Sequence, residues 1–170
     1  MLVSLPSNAA RLSKLAFDSS KCAPGYLVSA DALTATLTNG GAYQTVQSVE
    51  PVTEGRWYFD AVFQGLVGGI GFSQLVNPAQ VNIYNDNSFL LSGYGDLYSF
   101  GGSIKLSKNI SRSTGTHYRA LLDMDAGELT YWVDGEQLKT VKHECLKSGD
   151  WFVTATFGSG AAGASFRITE

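Results

Sequence analysis

The Asp134-Gly135 pair constrains the chain around it more than any other feature of the sequence. A two-residue type I′ hairpin needs φ > 0 at both central residues, and Asp-Gly is among the few pairs that accept this cheaply. The pair separates Glu128–Val133 from Glu136–Lys142. Upstream, 118–124 (YRALLDM) is rich in residues that suit a pleated, half-buried surface, and Asp125-Ala126-Gly127 is a turn whose glycine can take positive φ. The stretch 116–142 is therefore predicted to be a three-stranded antiparallel meander.

The rest of the chain repeats this grammar. Short strands are expected over 26–30, 34–38, 43–48, 56–64, 67–72, 90–94, 96–100, 151–157 and 164–168, punctuated by Gly, Asn, Asp and Pro. In 56–64, Trp57, Phe59, Ala61 and Phe63 share one face while Tyr58, Asp60 and Val62 share the other, as expected of a strand in the middle of a sheet. Trp57, Phe59, Tyr131 and Phe157 are expected in the core. Ala9–Phe17 reads either as one short helix capped by Ser7-Asn8 or as an extended arm that packs elsewhere, including on a neighbouring chain. Residues 1–16 are accordingly set apart from a domain over 17–170. Its many short strands and scarcity of helix predict an all-β sandwich of two antiparallel sheets.

Four stretches in order carry a family resemblance. Gly55–Phe63 (GRWYFDAVF), Gly69–Phe72 (GIGF), Leu121–Glu136 (LLDMDAGELTYWVDGE) and the closing pair 151–157 and 164–168 resemble the strands of SPRY (B30.2) domains, which are concanavalin-like sandwiches. Trp57 and Asp60 stand where that family more often has Tyr and Glu. The resemblance implies a non-enzymatic binding module that meets its ligands with the loops at one end of the sandwich.

The 170 residues suffice for one buried core, and with 16% charged residues and a net charge of −3 there is no basic face for nucleic acid. No apolar run reaches the length of a membrane span, and the N-terminus lacks the pattern of a secretory signal. Cys22 and Cys145 fit no metal or redox spacing and are expected as free, mostly buried thiols. Asn109-Ile110-Ser111 is a glycosylation sequon without a secretory context.

Catalytic chemistry finds little to work with. Asp123, Asp125 and Glu128 lack the ligand spacing of a calcium loop and read as turn-capping residues. His143 and Cys145 come with no oxyanion device, and His117 has no nucleophile motif near it. Gly68-Gly69-Ile70-Gly71 opens no helix, so these glycines read as packing features, not a phosphate cradle. No catalytic residue, metal site or cofactor is expected.

The candidate site is loop surface. Asn82, Tyr84, Asn85, Asp86 and Asn87, with Tyr94 and Tyr98, combine aromatic rings with hydrogen-bonding side chains in or beside predicted loops. For 82–88, ligand binding and simple solvation both stay open. A small domain rich in Gly, Ser, Thr, Ala and Asn also looks similar to accessory proteins of bacteriophage particles. The leading expectation is a virion decoration protein, bound to particle proteins and offering loops to a host surface. Its rivals are a cytoplasmic adaptor that grips a peptide of a protein partner, and a lectin for cell-surface glycan.

Overall fold

The structure is a computed structural model. It describes residues 10–11, 15–39, 44–65, 68–74, 88–92, 95–99, 102–105, 115–157 and 162–169. The strands in chain order are β1 (Ala10–Arg11), β2 (Phe17–Cys22), β3 (Tyr26–Val28), β4 (Thr34–Leu37), β5 (Gln44–Ser48), β6 (Arg56–Gln64), β7 (Gly68–Ser73) and β8 (Ser88–Ser92). They continue with β9 (Asp96–Ser99), β10 (Gly102–Lys105), β11 (Thr116–Asp123), β12 (Glu128–Val133), β13 (Glu136–Lys142), β14 (Phe152–Phe157) and β15 (Ser165–Thr169). A single 3-10 turn, Glu144–Lys147, joins β13 to β14.

The first sheet runs β13-β12-β11-β6-β15-β4-β3, with β1 laid along part of β6, and the second runs β10-β9-β8-β7-β14-β5-β2. Among the described residues all strand pairings are antiparallel except β1 on β6. Side-chain alternation directs one row of each strand into the space between the sheets. From β6 this row is Phe59, Ala61 and Phe63, and from β14 it is Val153, Ala155 and Phe157, all buried. Phe63, Phe157 and Phe166 meet with centroids 4.8–6.1 Å apart, joined by Tyr118 and Tyr26. Phe59 and Phe72 form a second contact across the sheets, and Phe89 packs on Trp151.

The meander is as read. Asp134 and Gly135 have φ of +49° and +81°, and the Asp134 carboxylate accepts a 2.9 Å hydrogen bond from the His117 amide. The bounds of β6, β12 and β13 coincide with the expected ones, while most others move by a residue or two. Strands β2 and β10 were not foreseen, since neither FDSSKC nor GSIK alternates.

Three readings are corrected. Ala10–Arg11 pair with Trp57–Tyr58 and Phe17 opens β2, so the helix alternative fails for these residues and the extended one holds. Backbone partners on β6 outweigh local helix propensity there. Trp57 is half-buried at the start of β6, its indole nitrogen donating to the Glu54 carbonyl, while Phe59, Tyr131 and Phe157 are core as expected. Both cysteines are free, but half-buried instead of mostly buried.

Candidate binding surface

The strand register shows what shares an end of the sandwich. In the second sheet Phe152, Ser73 and Ser88 lie in one row, and in the first sheet Arg56, Asp123, Glu128 and Lys142 do. The two rows are tied together by the connections beyond them. The His143 amide donates to the Gly127 carbonyl, the Met124 amide donates to the Gly55 carbonyl, and Val52 and Trp151 exchange backbone hydrogen bonds of 2.7 and 2.9 Å. The segment between β7 and β8 therefore leaves and re-enters the body at the end formed by 49–55, 124–127 and 143–151.

Asn82, Tyr84, Asn85, Asp86, Asn87 and Tyr94 lie outside the described residues. Tyr98 is on β9, level with Leu90 and Ser103 in the body of the second sheet, and half-exposed. The strand ends that carry the first five residues, Ser73 and Ser88, are at one end of β8. Ser92, from which the chain leaves toward Tyr94, is at the other.

The end that carries 75–87 has a rigid base. The Gln47 amide nitrogen donates to Ser73 Oγ at 2.9 Å and to the Gln74 carbonyl at 3.0 Å, and the Ser73 and Thr154 hydroxyls are 2.6 Å apart, all with fully buried side chains except Gln74. Buried polar groups satisfied by one another in this way fix the geometry of the chain that carries them. Ser48 accepts from the Val153 amide and donates to the Glu50 carbonyl, anchoring the neighbouring connection. Trp151 is fully buried against Phe89, its indole donating to the Ser148 carbonyl at 3.0 Å. The 3-10 turn is held by buried Leu146 and capped by His143, whose Nδ1 accepts from the Cys145 amide at 3.2 Å. Sequence reading left 143–149 as a plain connection. The one available clue was the large apolar pair Leu146 and Trp151 inside a polar stretch.

Electrostatically this end is one-sided. Lys21, Arg56, Lys142 and Lys147 are each in an ion pair, with Asp18, Asp123, Glu128 and Glu144 respectively. Glu50, Glu54 and Asp150, together with Asp125 on the turn, have no ion-pair partner among the described residues. Asp123 also accepts from the Ala126 amide at 2.9 Å, the turn-capping role expected of it. Among the described residues no cluster of His, Cys, Asp or Glu is arranged to hold a metal.

The His143–Cys145 pair shows no activation of the thiol. His143 spends Nδ1 on a backbone amide, and burial pushes the Cys145 thiol up to about 11. The thiolate is the reactive form, so at pH 7.5 its fraction is about a hundredfold below that of an ordinary thiol. Alkylation of Cys145 by iodoacetamide, followed by mass spectrometry, is expected to lag a free cysteine by that order at pH 7.5 and to accelerate up to about pH 11.

The outer face of the first sheet has a different character. Arg119 makes a bidentate pair with Asp60, at 2.7 and 2.9 Å, directly across from it in register, and lies 5.7 Å over the Tyr58 ring. The partnership is invisible in sequence because it depends on which strands neighbour each other.

No protein-family model matches the chain, and none of the curated protein sequences does. Solved structures do resemble it. The SPRY domain of human HERC1 superposes with a TM-score of 0.76 at 21% identity, over 91% of this chain and 97% of that one. The TRIM65 PSpry domain gives 0.74 at 14% identity, over 98% and 100%. Stonustoxin gives 0.74 at 16% identity, over 91% of this chain and 28% of its own. The chain has the two-sheet sandwich fold of SPRY domains.

Proposed function

We propose that this chain is a non-catalytic protein-binding module that holds a short segment of a partner protein at the sandwich end carrying the β7–β8 connection. The observation that carries the reading is the framework at that end. A SPRY fold there presents an otherwise long connection on a base of buried, mutually satisfied polar groups, with Trp151 and Leu146 beneath the adjoining turn. Rigid elements that hold out a variable loop are the usual setting for recognition. The unpaired carboxylates at this end favour a partner segment carrying Lys or Arg, and make association sensitive to salt.

The virion and glycan readings remain alternatives with less behind them. The three solved structures compared above are two SPRY domains and stonustoxin, and none of the three is a particle protein. A library of displayed peptides selected on the folded chain separates the three. The proposal expects basic peptides whose binding weakens by about tenfold or more on Tyr84→Ala, a typical cost for an aromatic anchor, and also weakens as salt rises. Enrichment of no peptide, with saturable binding to polysaccharide or to particles instead, would overturn it.

A further inference from the structure

Strand β6 lies inside the first sheet, so both of its edges need backbone partners. On one side β11 covers it from Arg56 to Phe63. On the other side β15 covers only Asp60 to Gln64, and its last pairing is Thr169 with Asp60. Beyond that point the edge is filled by β1, with Ala10 level with Trp57 and Arg11 level with Tyr58. Strand β1 runs parallel to β6 and β15 antiparallel, so the two approach each other head-on along the same edge with only Phe59 between their last pairings.

The plug is minimal. Among the described residues two form the ladder, in the parallel orientation that is slightly weaker per residue. The next strand, β2, belongs to the other sheet, so among the described residues β1 is not continued by a neighbouring strand of its own sheet. Short terminal pairings of this kind open at a small fraction of the global stability. The slot itself persists when they open, because β11 and β15 still frame it.

We propose that the Arg56–Phe59 edge of β6 is an exchangeable strand-docking slot, and that the N-terminal arm of a second copy of this chain fills it in trans. Among the described residues, the sequence that fits this slot is the arm itself. The same backbone bonds form whichever copy supplies the arm, so exchange costs only the advantage of the covalent tether. This surface is separate from the loop end proposed for the partner segment and does not depend on it.

Cysteine trapping in the full chain tests it. In a Cys22→Ser, Cys145→Ser background, one preparation carries Ala10→Cys and another Trp57→Cys, and the two are mixed under mild oxidation at rising concentration. A control chain carries both new cysteines. Neighbouring strand positions lie within disulfide reach. Exchange predicts a reducible heterodimer from the mixture, and loss of that species when Arg11→Pro is added, since proline removes the arm's amide. Cross-linking confined to single chains of the double variant, with no heterodimer at any concentration, would show the arm closed on its own body and overturn the proposal. Absence of any cross-link in either preparation would overturn it too, by emptying the slot.

Discussion

Replacing Gly71 by alanine is expected to destabilise the protein by about 4 kcal/mol, the sum of overpacking and a broken buried hydrogen bond. Gly71 is buried in β7 between Thr154 of β14 and Leu90 of β8. A Cβ added there overlaps the Phe89 carbonyl oxygen and the Tyr131 hydroxyl. These two atoms form a 2.6 Å hydrogen bond that joins the sheets, with Tyr131 fully buried. Backbone on one side and a packed ring on the other leave no direction for relief. At this chain length the loss corresponds to about 10 °C in Tm. Gly115→Ala is the control, because its Cβ meets nothing within 4 Å and only its φ of +96° resists. That substitution is expected to cost about 1 kcal/mol. Urea unfolding of the two variants compares them directly, and near-equal midpoints would contradict this view of β7.

Phe63→Ala is expected to cost about 3–5 kcal/mol, the range for emptying a buried phenylalanine site. Phe63 is fully buried and touches rings from three other strands, with Phe166 4.8 Å, Phe157 6.1 Å and Tyr118 6.4 Å away between centroids. Those neighbours come from both sheets, so none can fold into the space without leaving its own rotamer. Trp57→Ala, on the same face of the same strand, removes a larger side chain but is expected to cost clearly less, because Trp57 is half-buried at the strand's start. The drop in denaturant midpoint should therefore be larger for Phe63→Ala than for Trp57→Ala, the reverse of the order of side-chain size.

This contrast also marks how far the sequence could be read. Alternation in 56–64 identified the inward row correctly, yet alternation carries no information on where a strand emerges from its neighbours, and Trp57 lies at that margin. The Asp134-Gly135 turn was readable because its backbone requirement is local. Arg119 with Asp60, and Gln47 with Ser73 and Thr154, were not, because each partnership is created by strand order in a sheet. Strands β2 and β10 share that cause: paired neighbours hold them in place, with no hydrophobic pattern of their own. Loop composition pointed to 82–87 and to Tyr94 as candidate ligand contacts, and these lie outside the described residues. The register of β8 places the anchors of these segments at opposite ends, and only topology could reveal this.

The most direct measurement is an amide NMR titration of the isotope-labelled chain with a basic peptide selected on it. The account predicts shifts concentrated at Gln74, Gly127 and the 143–151 connection, with the Asp134–Gly135 turn and Tyr98 unmoved. Shifts centred instead on the Asp134–Gly135 end, or on the Arg119–Asp60 face of the first sheet, would place the binding surface elsewhere and contradict it.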